Sequence, residues 1–270
     1  GGTLTRANQT YDGVLDGISD IGMSAFAYTR GRFPAMAIID MPLGYPTGVA
    51  ATAVANAVYA QFQPGELANT QVMYLHAHGP GIIHTRSKPV RTLEDLKGVT
   101  IRSTGFSAEM VKALGATPVA QPMPEAYQSL QKGVVDGSAH PVEANQGWKL
   151  GEVVSHATMA YSVGYTTAFF VVMNKAKWNG LDARDQETIQ TLNAEWATKH
   201  GEAWDSSDTE GLRAFFQQGN SAIGLNSREA ARWEEAVTPM IEAYAQKLEE
   251  EGHSGKAILD VIRQTLKPYR

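Results

Sequence analysis

Between Thr92 and Gly137 the sequence alternates short strand-like runs with short helical ones, and this rhythm limits the chain to an α/β fold. Thr92-Leu-Glu-Asp95-Leu-Lys-Gly98 reads as a brief helix: Thr92 caps it, acids sit at its positive end and Gly98 stops it. Val99 to Arg102 follows as a strand, Ser103-Thr-Gly105 as a turn, and Ser107 to Leu114 as a second helix stopped by Gly115. Thr117 to Met123 predicts another strand, Glu125 to Lys132 a helix stopped by Gly133, and Val134 to Gly137 a strand and turn. Helices of this length between strands of this length build βαβ units, which places parallel strands in the same sheet.

Outside that block the pattern is looser. A helix is expected over 8–17, a strand over 18–26, a helix over 46–62 and a strand over 71–77. Residues 165–173, with three aromatics and two valines, make the strongest strand signal in the chain. From 181 to 217 there is no proline, and apolar residues recur at helical intervals, so one or two long helices are expected with Gly201 and Gly211 as places to bend. A further helix opens at Asn226 or Ser227, is interrupted by Pro239 and ends at Gly252, and a last one covers 254–266. The 270 residues exceed what one core usually fills, so two lobes are expected. No flexible linker separates them, and the joins must be ordered crossings.

Composition narrows the chemistry. The chain has no cysteine, which excludes thiolate metal sites, cysteine nucleophiles and redox pairs and suits an oxidising compartment. A formal charge of −5 gives no global pull toward nucleic acid or anionic membranes. The longest purely apolar run, Ala168 to Met173, is far too short to span a bilayer. The start at Gly1-Gly2, without an initiator methionine, leads one to expect a preceding segment. The sequence carries no nucleophile elbow, Walker loop, H-E-x-x-H or dinucleotide fingerprint.

Arg102 is the first candidate for a site. It ends a strand just before a helix, at the carboxyl edge of a parallel sheet, where open α/β proteins take their ligands. Its planar guanidinium grips a carboxylate through paired hydrogen bonds, and the amides of Ser107 to Glu109 add positive potential; the alternative is a surface arginine paired with Glu94 or Asp95. His76, His78 and His84 lie close in sequence, but they lack a third ligand at a diagnostic spacing, so His78 beside Gly79-Pro80-Gly81 reads better as a donor at an inter-lobe crossing than as a metal ligand. His140, before Pro141, is expected at a helix N-terminus facing the sheet edge. Tyr165, Thr166, Thr167, Phe169 and Phe170 alternate between a core and an apolar slot, while Phe26, Tyr28 and Trp148 are more often core than pocket wall.

Three ordered blocks carry a resemblance. Asp95-Leu-Lys-Gly98-Val-Thr-Ile-Arg102-Ser-Thr-Gly105, then Ala113-Leu-Gly115-Ala-Thr-Pro118, then Glu125-Ala-Tyr127-Gln-Ser-Leu-Gln131-Lys-Gly133-Val-Val-Asp136-Gly137, resemble the DctP-type solute-binding subunits of tripartite ATP-independent periplasmic (TRAP) transporters. Gly17-Ile-Ser-Asp20-Ile-Gly22 and Phe170-Val-Val-Met-Asn174-Lys are similar to further segments of that family. The resemblance implies a two-lobed α/β periplasmic binding protein with mixed sheets, strands crossing between lobes and a long helix spanning both. The first lobe would comprise 1–79 and 166–208 and the second 80–165 and 209–270, with the family's opening βαβ segment missing.

By the same resemblance, Arg102 is the carboxylate clamp and His140 stands where relatives carry the Asn of a Q-E-N-P motif. Met123 stands where sialic-acid binders use Phe. The aromatic run Gly164 to Phe170 is similar to a subgroup that takes monocarboxylates, including aromatic and 2-oxo acids. The expected ligand shell is therefore Arg102, His78, His140, Phe26, Met123, Thr167 and Phe169, with no metal, no cofactor and no catalytic residue. The expected partners are a small organic acid and the membrane permease subunits, not nucleic acid or the bilayer itself, and the expected location is the periplasm. The rivals are an enzyme on this scaffold using His78 or His140 as base, and a ligand-sensing module.

Overall fold

The structure is a computed structural model and describes residues 2–270. In chain order its helices and strands are α1 (Thr10–Leu15), β1 (Ile21–Ala25), α2 (Pro34–Ala37), α3 (Gly48–Phe62), β2 (Thr70–Ala77), β3 (Gly81–Thr85), β4 (Thr100–Ser103), α4 (Phe106–Ala113), β5 (Thr117–Ala120), α5 (Met123–Gln131), β6 (Gly137–Pro141), α6 (Ala144–Gly147), β7 (His156–Met159), β8 (Ala168–Asn174), α7 (Lys175–Asn179), α8 (Ala183–Gln217), β9 (Ser221–Gly224), α9 (Ser227–Glu250) and α10 (Gly255–Leu266). Short 3-10 turns fill several of the joins, among them Ile38–Asp40 and Leu93–Leu96. The second of these begins with the expected capping box, Thr92 and Asp95 each serving the other's backbone.

Two sheets result. The first is three-stranded in the order β1-β8-β2 and antiparallel, and the second is six-stranded in the order β5-β4-β6-β3-β7-β9. β4 runs parallel to both β5 and β6, as the central βαβ grammar requires, while β3 runs antiparallel to β6 and β7, so the second sheet is mixed. The chain passes between the sheets on two adjacent segments. β2 continues through His78-Gly79-Pro80 into β3, and Tyr165 to Thr167 leads into β8. These crossings are laced together: Gly81 N–H donates to Tyr165 O at 2.7 Å, and His78 N–H donates to Thr167 O.

The region 181–217 forms a single helix rather than a bent pair. Gly201 and Gly211 do not kink α8; they let it approach other backbones. A Cβ at Gly201 would lie 3.0 Å from the Val49 Cα of α3, and one at Gly211 would collide with Val142 O and Glu143 at the start of α6. α8 thereby rests on first-sheet elements with its early turns and on second-sheet elements with its late ones, where Phe215 joins the smaller core around Leu130, Val142 and Leu150. Two other expectations are corrected. Pro239 lies inside α9 without ending it, and the strand expected at 134–137 is displaced to 137–141. α10 packs on α3, its buried Ile258, Leu259 and Ile262 joining the larger core with Val54 and Val58.

Candidate functional site

Arg102 lies on β4, which runs between β5 and β6 next to one edge of the second sheet, and it is 2% exposed. Its Nε donates to Gln121 O at 2.9 Å and one terminal nitrogen to Ala139 O at 3.2 Å, so two neighbouring strand ends fix the plane of the guanidinium. Among the described residues no carboxylate forms an ion pair with it. Glu94, one of its two possible surface partners, instead pairs with Arg232, and Asp95 is occupied by its capping box. Burial pushes the guanidinium's pKa down, and Tyr28 and Tyr165 are the first groups to oppose that. A guanidinium does not shed its proton to escape the desolvation cost, so it remains a buried cation.

His78 is 5% exposed at the first crossing, edge-on to Tyr165 and 6.4 Å from the ring of Phe169. Its Nδ1 donates to Gly79 O at 2.6 Å, the donor role expected at a crossing, which leaves Nε2 of the neutral ring as an acceptor. Burial lowers its pKa to about 4 against that hydrogen bond, and the Arg102 charge adds to the lowering. His140 is fully buried, and its expected place at a helix N-terminus is corrected: it sits inside β6, opposite Ile82. Pro141 closes that strand instead of starting a helix. The His140 ring stacks on His84 at 3.7 Å. Asn145 of α6 bridges the two, its amide donating to His84 Nε2 at 3.2 Å and its oxygen accepting from His140 Nε2 at 3.4 Å. That leaves His140 Nδ1 as an acceptor with no protein partner. Burial first, then His84, holds His140 well below the usual histidine range. Both histidines are thus neutral near pH 7, which removes them as cationic donors to an anion.

The other expected residues fall on different surfaces. Thr167 is buried in the second crossing, where its carbonyl accepts from His78 N–H. Phe169 lies flat against His76 at 4.9 Å and Trp204 at 5.7 Å, on the face of β8 turned toward α8. Phe26 is turned the other way, packed edge-on to Phe33 and Phe170 in the first core. It does not share a wall with Phe169. Met123 opens α5, and its amide donates to the Tyr28 hydroxyl at 3.3 Å, which draws Met123 to the edge of the Arg102 site. The helix amides expected to face a ligand are already used: Ser107 N–H donates to Thr104 O and Ala108 N–H to Gly105 O.

Sequence reasoning passed over Asp40. It is 2% exposed, with Oδ1 accepting from Ala168 N–H at 2.8 Å, and burial raises its pKa well above the usual carboxylate range. A single acid inside the apolar stretch Ala35 to Leu43 was the available signal. A cavity of 410 Å³ is walled by Phe26, Phe33, Asp40, Gly105, Phe106 and Tyr244 but reaches neither Arg102 nor the histidines. The cavity and the buried cation are thus separate features of the structure. No helix among the described residues is long and apolar enough to cross a membrane, and no three His, Asp or Glu side chains gather as a metal site requires.

Known proteins share this two-sheet α/β fold. The profile of bacterial extracellular solute-binding protein family 7, the DctP family, matches residues 1–247. The chain belongs to this family. It is 32% identical over 170 residues to the C4-dicarboxylate-binding periplasmic protein DctP of Rhodobacter capsulatus, a match covering 62% of this chain and 50% of that one, so the chain spans about half the length of that relative. Among solved structures it is similar to a TRAP solute-binding protein of Rhodoferax ferrireducens holding copurified benzoate, at 28% identity and a TM-score of 0.92, covering 98% of this chain and 84% of that one. A TRAP periplasmic solute-binding protein of Bordetella bronchiseptica with bound mandelate gives the same identity and TM-score over 99% and 86%. The mixed α/β fold with two sheets is therefore that of the DctP family's TRAP solute-binding proteins.

Proposed function

We propose that this chain is the extracytoplasmic solute-binding component of a TRAP transporter, working in the periplasm, and that it captures a small organic monocarboxylate by closing its lobes and hands it to membrane permease subunits. One observation carries this reading: Arg102 is buried with its plane fixed and, among the described residues, no carboxylate forms an ion pair with it, Glu125 acting only as the last of the groups that oppose its burial. Burying such a cation unpaired costs several kcal/mol, and a ligand carboxylate recovers that cost through two charge-assisted hydrogen bonds. An uncharged ligand would not.

The neighbours refine the class. Tyr28 and Tyr165 supply ring surface near the guanidinium, and the benzoate- and mandelate-bound relatives are consistent with an aromatic or compact acid. His78 Nε2 and His140 Nδ1 are lone-pair acceptors, which suit a ligand hydroxyl and repel a second carboxylate. Monocarboxylates carrying a hydroxyl should therefore bind more tightly than dicarboxylates.

The test is mass spectrometry of whatever co-purifies, followed by thermal-shift titration with benzoate, mandelate, 3-hydroxybenzoate, pyruvate and succinate. A true ligand at a hundredfold excess over Kd adds about 2.7 kcal/mol, which for a chain of this size raises Tm by about 5–8 °C. Reversible, stoichiometric binding without turnover is the expected outcome. Turnover of a bound acid, or no shift with any carboxylate, would reject the proposal.

A further inference from the structure

Midway along α8, two carboxylates reach in opposite directions. Asp205 accepts from the Gly48 and Val49 amides, capping α3 against the first sheet. Three residues on, Asp208 accepts from Glu143 N–H at 2.9 Å, at the start of α6 beside the second sheet. Asp208 Oδ2 also lies against Gly79 in the crossing, so closely that a Cβ there would collide with it. One turn of α8 thus ties together both lobes and the segment that passes between them.

The tie contains an electrostatic conflict. Glu143 and Asp208 are both partly buried; after burial, Asp208 is what raises Glu143 and Asp205 is what raises Asp208. From α8 itself Asp208 meets Asp205, from α6 it meets Glu143, and from the 3-10 turn Tyr161–Val163 it influences Tyr161; the crossing contributes backbone at Gly79. Among the described residues no lysine or arginine forms an ion pair with Glu143, Asp205 or Asp208. Two carboxylates so placed, without a cation, are most easily accommodated when they hold a proton between them.

We propose that Glu143 and Asp208 form a proton-linked latch at the hinge: a proton held by the pair favours the closed arrangement of the lobes, and its loss favours opening. The closed state should take up a proton because opening hydrates the pair and lets both acids ionise. Burial is the largest influence on each, and each is raised to about 7, with the second acid adding to Glu143 and Asp205 adding to Asp208. Ordinary carboxylates titrate near 4, so closure gains from acid across the window from about 4 to 7 and is indifferent above it. The buried histidines act in the reverse sense only below about 6.5, which makes the interval from pH 6.5 to 8.5 the clean one.

The absence of cysteine allows a direct test. Spin labels at Asn69→Cys and Lys132→Cys, both exposed, one ahead of β2 and the other after α5, report lobe separation by pulsed electron-electron resonance. Without any added ligand, the closed-to-open ratio should rise about fourfold from pH 8.5 to pH 6.5. In Glu143→Gln, which keeps its amide for Asp208, the ratio at pH 8.5 should already be high and change less than twofold. Asp208→Asn, which retains an acceptor for Glu143 N–H, should behave likewise, and carbon-13 NMR of the parent should show a carboxyl titrating near 7 that both variants lose. An unchanged distance distribution in the parent, or a full pH response in a folded variant, overturns the latch. Because no carboxylate ligand enters the measurement, its failure says nothing against the solute-binding reading, and failure of that reading leaves the latch standing.

Discussion

Arg102 and Asp40 are each 2% exposed and carry opposite charges in their ordinary forms, yet they are not paired. Both act on the Tyr165 hydroxyl, the arginine lowering its pKa and the aspartate raising it, against a larger upward push from burial. The two groups respond differently to the same loss of water. Asp40 can take a proton, and burial pushes its pKa up in that direction; its backbone hydrogen bond to Ala168 N–H fixes the start of β8. Arg102 has no neutral form available, so in the proposed function its charge is met by the carboxylate of the ligand. A buried acid is a self-contained structural pin, whereas a buried arginine without an acid is an open request for an anion.

The sharpest way to break that contrast is to remove the cation. Arg102→Ala should abolish the rise in Tm produced by the cognate carboxylate, a loss of the whole effect. Arg102→Lys should leave less than half of it, because a point charge cannot reproduce the paired grip and the bonds to Gln121 O and Ala139 O together. Thermal-shift titration against the parent reads both. A Tm shift in Arg102→Ala equal to the parent's would mean that the ligand's charge is met elsewhere.

How much of this contrast was readable before folding depends on how local its cause is. Arg102 was legible because its position follows from a strand, a turn and a glycine-stopped helix within a dozen residues, all of which formed nearly as expected. The two-sheet architecture and the spanning helix were legible on the same grounds, with the family resemblance supplying the long-range order. Asp40 was not, because its burial comes from packing between the Ile38–Asp40 turn and β8, segments separated by 128 residues. His140 was misplaced because proline after a histidine suggests a helix start locally, while the pairing of β6 with β3, a tertiary fact, carried the strand through it. Gly201 and Gly211 looked like flexibility and proved to be contact points, since a missing side chain reads the same either way until the neighbour is known.

A second prediction asks whether the cation is a burden when no ligand is bound. Arg102→Met keeps most of the side-chain volume and discards the charge. In the ligand-free protein it should raise stability by about 1–2 kcal/mol, since the relief of desolvation is partly offset by two carbonyls left without their donors. Urea unfolding at pH 7.5 measures it. A loss of stability instead would mean that the guanidinium is needed as a strut, and that the two buried charges are more alike than the comparison holds.

At acid pH the smallest effect belongs to Asp40→Asn, and it sharpens the other half of the contrast. Asparagine keeps an oxygen for Ala168 N–H, so the strand start should survive. Asp40 in the folded protein holds its proton to a higher pH than in the unfolded chain, so the stabilisation linked to that proton is complete below about pH 4 and is lost as pH rises toward the folded pKa. The variant lacks this loss. It should match the parent within about 0.5 kcal/mol at pH 4.5 and exceed it at pH 8.5 by about 1.4 kcal/mol for each pH unit over which folded Asp40 keeps a proton that the unfolded chain has lost. Taking the difference between the two proteins at each pH cancels the histidines and the hinge carboxylates, which both share. A constant difference across that range would mean that Asp40 stays ionised in the folded protein, and the buried acid would then need a cationic partner as much as Arg102 needs an anionic one.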